Sequence, residues 1–210
     1  RLLDTCRLAV MTPRFDKQQI EEACVEILRV NELDEAYVRP LIYIGSGAMG
    51  VYAPDNPIRT TVIAWRWGAY LGAGALENGV RTKISAWTRH HPAIALAKGK
   101  ITGQYTNSIL SKREARVAGY DEAILMDVHG NVCEGSGENL FIVKNGELRT
   151  PPLSASILAG ITRDTIIKLA REEGIHVAET NIHRDQLYLA DEAFFTGTAV
   201  EVTPLREVDN

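Results

Sequence analysis

Two short runs hold the residues best suited to chemistry in this chain of 210 residues. The first is Glu134-Gly135-Ser136-Gly137-Glu138-Asn139-Leu140-Phe141, in which two glycines sit among acids and an amide, and the apolar Leu140-Phe141-Ile142-Val143 follows at once. Such tight coupling of a turn to a buried strand predicts that Glu134 and Asn139 are held on a rigid edge. The second is Lys100-Ile101-Thr102-Gly103-Gln104-Tyr105, preceded by the apolar Ala93-Ile94-Ala95-Leu96-Ala97. A lysine in an apolar site loses solvation of its ammonium, so its pKa falls and the free amine becomes available for imine chemistry. A carboxylate against the pyridine nitrogen of pyridoxal phosphate keeps that nitrogen protonated, and the protonated ring is an electron sink. A fixed Lys100 and a fixed Glu134 are the two protein groups such a site needs most. Each also has a plain alternative, a solvated lysine and a turn acid beside glycine. Lys98 complicates the first run. In an extended strand residues two apart share a face, so Lys98 and Lys100 would both point at the site and lower each other's pKa.

The elements that must position these residues are legible in outline. Phe15 to Glu32 has helical spacing at Ile20, Ala23, Cys24, Ile27 and Leu28, with Asp16 as cap. Strands are expected over Tyr37–Ile44, Thr60–Trp67, Val80–Thr88, Glu122–Val128, Asn139–Lys144, Ala193–Thr196 and Val200–Thr203. Ile94–Lys100 reads as extended. Thr106–Ala118 and Thr162–Glu173 read as helices stopped by Gly119 and Gly174. Residues 1–9 read as the middle of an amphipathic helix. Strands and helices mix without strict alternation, which predicts an α/β fold of mixed α+β type. The small, flexible Tyr70–Ala75 marks a linker. The expected division is residues 1–70 as a smaller domain, 71–77 as linker and 78–210 as a larger cofactor-binding domain.

Other motifs are weaker. Gly45-Ser46-Gly47-Ala48-Met49-Gly50 matches the dinucleotide fingerprint, but that reading needs a helix directly after the glycines. Pro54 and Pro57 deny it, and a glycine loop beside a substrate pocket fits better. Gly160-Ile161-Thr162-Arg163-Asp164 opens a helix whose N-terminus suits a phosphate, or is only a Thr N-cap. Gly197-Thr198-Ala199 is a small-residue turn able to offer backbone donors, or only a turn. The five histidines lack metal spacing and Ser136 lacks the flanks of a nucleophile elbow, so no metal and no serine hydrolase are expected.

Bulk composition excludes several classes. Net charge is −4 with no basic block, so nucleic acid is not an expected partner. No apolar run is long enough to span a bilayer, and no membrane is expected. Cys6, Cys24 and Cys133 are odd in number and far apart, which fits a reducing cytoplasm. Both ends are expected to be cut from a longer chain.

Taken together, the Tyr37-Val38-Arg39-Pro40 strand, Trp67-Gly68-Ala69-Tyr70-Leu71-Gly72, the Lys100–Tyr105 and Glu134–Phe141 runs, Gly160–Asp164 and Gly197-Thr198-Ala199 resemble the branched-chain amino acid aminotransferases among the fold-type IV pyridoxal phosphate enzymes. The resemblance covers nearly the whole chain. It implies two domains joined by a short linker with the cofactor at their interface, and a homodimer or higher assembly of dimers. Lys100 would form the Schiff base with pyridoxal 5'-phosphate and move the proton at the substrate α-carbon. Tyr105 would bind the cofactor's phenolic oxygen and Glu134 its ring nitrogen. Ile161, Thr162 and Thr198 would hold the phosphate, with Leu158 and Asn139 also at the cofactor. Tyr37, Trp67, Tyr70 and Val51 would line the substrate pocket, Arg39 would take the distal carboxylate of glutamate, and Ala199 with Thr198 would bind the substrate carboxylate. The implied reaction is transamination of leucine, isoleucine or valine with 2-oxoglutarate. Alternatives are a D-amino acid aminotransferase, an aminodeoxychorismate lyase, or a non-catalytic relative or inactive fragment. Two departures stand out. The family's phosphate-binding arginine and one aromatic pocket residue precede this chain, and Lys98 occupies a place that is usually small and neutral.

Overall fold

A computed structural model describes residues 1–210, which divide into two compact units, Arg1–Gly68 and Ala69–Asn210. The first unit contains α1 (Leu2–Leu8), α2 (Lys17–Val30), β1 (Tyr37–Ile44) and β2 (Ile58–Trp65). Helix α2 begins where a capping box satisfies its first turn: the Gln19 amide donates to Asp16 Oδ1 at 2.9 Å, and the Asp16 amide donates to Gln19 Oε1 at 3.0 Å. Strands β1 and β2 pair antiparallel from Tyr37 opposite Trp65 to Ile44 opposite Ile58. No helix follows the glycines of residues 45–50. The Asn56 side chain closes that loop instead, accepting from the Ala48 amide at 2.8 Å and donating to the Ala48 carbonyl at 3.0 Å. A Cβ on Gly47 would lie 2.1 Å from Asn56 Oδ1, so this glycine serves a side chain's close approach and not a nucleotide.

The second unit is built on an eight-stranded sheet. Its strands are β3 (Val80–Ile84), β4 (Glu122–Met126), β5 (Val132–Gly135), β6 (Asn139–Lys144), β7 (Glu147–Thr150), β8 (Val177–Glu179), β9 (Glu192–Gly197) and β10 (Glu201–Val208). The order is β5-β4-β3-β10-β9-β6-β7-β8, and β5 also pairs with β6 through Glu134 opposite Asn139. Six strands therefore close into a ring whose last pairing carries the predicted acid and amide. Helices α3 (Ala75–Asn78), α4 (Tyr105–Val117), α5 (Ile161–Glu172) and α6 (Arg184–Tyr188), with a 3₁₀ turn at Thr102–Gln104, complete the unit. Ala75, within the expected linker, is buried in this unit's core.

The apolar run of β6 is continuous because both faces of that strand are covered. Leu140 and Ile142 join Ile84, Ile124, Val132 and Phe195 in one cluster, while Phe141 turns the other way beneath α5 with Ile167 and stacks on Phe194 at 5.1 Å. Several boundaries depart from expectation. The strand expected over Val80–Thr88 ends at Ile84, because the Ser85 hydroxyl and the Ala86 amide turn to the Glu114 carboxylate. Ile94–Lys100 is a succession of turns, with short-range bonds such as Gly99 N–H to the Leu96 carbonyl, and not an extended strand. The short β5 and β8 have no alternation to reveal them, and that of β7 runs over only Glu147–Thr150. Removing the cap by Asp16→Ala is expected to lower stability by about 1 kcal/mol in urea denaturation, with Asp16→Asn nearly neutral.

Candidate active site

Glu134 is 4% exposed and both of its oxygens are engaged. Arg89 Nη2 meets Oε1 at 2.7 Å. The Asn139 side-chain amide donates to Oε2 at 3.2 Å, and the Leu158 backbone amide donates to the same oxygen at 3.0 Å. Burial pushes the Glu134 carboxyl up from 4.5 to about 6, against the pull of Arg89, the Leu158 amide and Lys98. Burial outweighs its cations in setting the shift, yet the group is ionised at neutral pH.

Asn139 spends its other amide hydrogen on the Leu158 carbonyl at 2.9 Å, so one side chain binds both the acid and the loop that caps it. Its Oδ1 lies against Gly160, where a Cβ would approach to 2.0 Å. Gly160 is also the residue before α5, which starts at Ile161 and has no side-chain cap. Thr162 thus lies in the first helical turn and is not an N-cap. The positive end of α5 opens beside the Asn139 amide. Thr196 pairs with Asn139 across β6 and β9, and the turn carrying exposed Thr198 and half-buried Ala199 follows directly.

The lysine run is arranged differently from expectation. Lys100 is exposed, as are Ala93, Leu96 and Ile94, the last at 81%, while Ala97 is buried. Lys100 Nζ stands 5.8 Å from the centroid of the Tyr105 ring, at the start of α4. Lys98 has different partners. Its ammonium donates to the carbonyls of Ala155 at 3.0 Å and Ile157 at 2.8 Å, and burial of that end lowers its pKa.

A second buried acid group lies on the same turn. Glu138 accepts from the Gly137 amide at 2.9 Å, and burial together with the neighbouring Glu122 carboxylate raises its pKa well above the usual range. Its Oε1 is buried with no hydrogen-bond partner. Glu122 is fully buried and paired with Lys112, whose ammonium stands 5.5 Å from the Tyr70 ring centroid. Glu138 Oε2 also fills the place of a Cβ on Gly135, at 2.5 Å.

In the first unit, Tyr37, Trp65 and Trp67 form an aromatic group with ring centroids 4.5–5.1 Å apart. The Arg39 guanidinium lies 5.2 Å from the Tyr37 and Trp65 rings and 5.9 Å from Trp67. Val51 is exposed in the loop after β1. An open cleft of about 1010 Å³ in this unit lies between α2 and β2, with Phe15, Ile20 and Val62 in its walls, and contains none of the expected site residues.

Sequence reasoning missed Arg89 and Trp65, and named Gly160 only as part of the helix-opening run. A buried acid requires a paired cation, and arginine is the usual choice, but nothing local to Arg89 shows which acid it serves. The alternation of β2 places Trp65 on the face of Ile63, which was a usable signal.

Gly160→Ala is expected to displace Asn139 and cost about 2 kcal/mol in urea denaturation, the scale of a lost bond to a buried charge. Gly137→Ala, where a Cβ meets nothing within 4 Å, should stay within about 0.5 kcal/mol. A second expectation concerns pH. Folding raises the Glu134 pKa from 4.5 to about 6, so its stabilisation is full below the lower value and fades as pH rises through the upper one. Relative to Glu134→Gln, the cofactor-free wild type should lose about 2 kcal/mol between pH 4.5 and about 7. A relative stability that rises with pH would mean that Arg89 dominates burial.

The chain matches the amino-transferase class IV family over residues 1–208. It is 46% identical over 209 residues to the branched-chain-amino-acid aminotransferase of Pseudomonas aeruginosa, covering all of this chain and 68% of that protein. The crystal structure of the Escherichia coli branched-chain amino acid aminotransferase superposes with a TM-score of 0.97 at 46% identity, over 99% of this chain and 69% of that one. The Thermobaculum terrenum enzyme in PLP-form superposes with a TM-score of 0.93 at 33% identity, over 100% of this chain and 68% of that one. Matched by the family model over residues 1–208 and by relatives of 46% identity over its whole length, this chain belongs to the class IV amino-transferase family.

Proposed function

We propose that this chain transfers the amino group of branched-chain L-amino acids to 2-oxoglutarate with pyridoxal 5'-phosphate as cofactor. The observation that carries the reading is the match to branched-chain aminotransferases over the whole chain, joined to a buried, ionised Glu134 held by three donors. The residues present fit the cofactor. Three donors occupy three of the roughly four lone-pair positions of the Glu134 carboxylate, which leaves one for a ring N–H. Gly160 keeps the start of α5 free of a side chain, and first-turn amides with the helix dipole suit a phosphate.

The cofactor would supply an electron sink for the pair released at the substrate α-carbon, and Glu134 is placed to keep its ring nitrogen protonated. The chain's own residues then have separate tasks. Lys100 Nζ would hold the cofactor covalently until the substrate amine displaces it, and as the freed amine would carry the proton to and from the α-carbon. Glu134 holds the proton on the ring nitrogen, and Asn139 and Leu158 fix Glu134. The Tyr105 hydroxyl binds the phenolic oxygen. Ile161, Thr162 and Thr198 bind the phosphate, and the Thr198 and Ala199 amides receive the substrate carboxylate. Tyr37, Trp67, Tyr70 and Val51 offer apolar surface to a branched side chain. Arg39, among aromatic faces that limit its hydration, is suited to the distal carboxylate of glutamate. The exposed apolar Ile94 and Leu96 support a homodimer or higher assembly of dimers, and three free cysteines support a reducing cytoplasm.

Incubation with pyridoxal 5'-phosphate, borohydride reduction and peptide mapping should place the label on Lys100, and Lys100→Ala should take none. L-Leucine with 2-oxoglutarate should turn over faster than D-alanine. Faster D-alanine turnover would assign the chain to a D-amino acid activity instead.

A further inference from the structure

Three successive carbonyls in the loop between β7 and α5 each receive a cationic donor. Lys98 Nζ donates to Ala155 at 3.0 Å and to Ile157 at 2.8 Å, and Arg89 Nε donates to Ser156 at 3.2 Å. The next residue, Leu158, gives its amide to Glu134 and its carbonyl to Asn139. Lys98 and Arg89 stand near the two ends of the irregular segment that precedes the 3₁₀ turn at Thr102–Gln104, and Lys98 is two residues from Lys100. Within that segment the backbone bonds of residues 94–99 run only to carbonyls of residues 91–96, so they shape its turns without attaching it to the sheet. Attachment to the 155–158 loop comes from the two cationic side chains.

We infer that Lys98 is a positioning residue, which clamps the Lys100 segment to the loop whose Leu158 amide holds Glu134, and so sets the lysine and the acid in register. This rests on the reading of Lys100 and Glu134 given above. The clamp is strongest in the charged form of Lys98. An ammonium has three N–H donors and no acceptor, and two of the three are spent on these carbonyls. A lysine so engaged is a tether and not a competing imine-forming amine. Neutral donors would hold the same carbonyls more weakly, and a methionine, with similar reach and no donor, would leave the Ile157 carbonyl to water and the Ala155 carbonyl with its bond from the Ile157 amide alone.

The test uses Lys98→Met and Lys98→Arg, with and without pyridoxal 5'-phosphate. In the cofactor-free protein, hydrogen exchange of the peptide spanning residues 153–160 should speed up about tenfold in Lys98→Met, the factor that corresponds to one lost charge-assisted bond. Exchange in β4 should not change, and Lys98→Arg should recover most of the loss. Affinity for pyridoxal 5'-phosphate should weaken by a similar factor in Lys98→Met, with the borohydride label still on Lys100. Unchanged exchange over residues 153–160, loosening of β4 to the same extent, or label on Lys98 in the wild type would overturn the inference. Absence of any label in the wild type would instead overturn the proposed function, while the exchange result decides the clamp independently.

Discussion

The closure of the strand ring through a buried ionised carboxylate is the constraint on which the second unit depends. Glu134 occupies the one position where β5 meets β6, opposite Asn139. Desolvating a lone carboxylate there would cost several kcal/mol. The surrounding groups must therefore converge: Arg89 from the segment after β3, Asn139 from β6, and the Leu158 amide from the loop before α5. Each of these donors fixes the element that brings it. The carboxylate thus organises four separate stretches of chain, and the tolerance for error at any of them is a fraction of a hydrogen-bond length.

The two acids of the Glu134–Phe141 run show how position decides protonation. Glu134 and Glu138 are both buried, and burial raises both. Glu134 has a guanidinium at 2.7 Å and two amide donors, which limits its rise. Glu138 has one amide donor and faces the Glu122 carboxylate, so two like charges compete for the cation supplied by Lys112. Burial and the facing carboxylate both favour the protonated form of Glu138. The two acids of one turn therefore differ in how far burial raises them, and partners set that difference, not residue type.

What the sequence made legible was local. The glycines and apolar run around Glu134 marked a rigid edge because turn and strand are adjacent, and the Asp16 cap of α2 and the helix after Gly160 followed from residues close in the chain. Partnerships across long separations were not legible. The Leu158 amide reaches Glu134 from 24 residues away, Lys98 reaches Ala155 across 57 and Arg89 reaches Ser156 across 67. The period-two argument for Lys98 and Lys100 failed for a definite reason: it requires a strand, and residues 91–99 form turns. In turns, neighbouring lysines diverge, one to carbonyls and the other toward Tyr105.

That divergence has a chemical consequence. Two amines pointing into one site would lower each other's pKa and compete for the same carbonyl carbon. Here the loop before α5 removes one of them from the competition by engaging its protons, and uses the resulting bond to hold itself in place. The desolvation of the Lys98 ammonium is offset by two carbonyl acceptors and by the attraction of Glu134. Glu134 therefore acts beyond its immediate donors. Its charge favours the protonated Lys98 that the loop requires, and the loop in turn delivers the Leu158 amide that stabilises the charge.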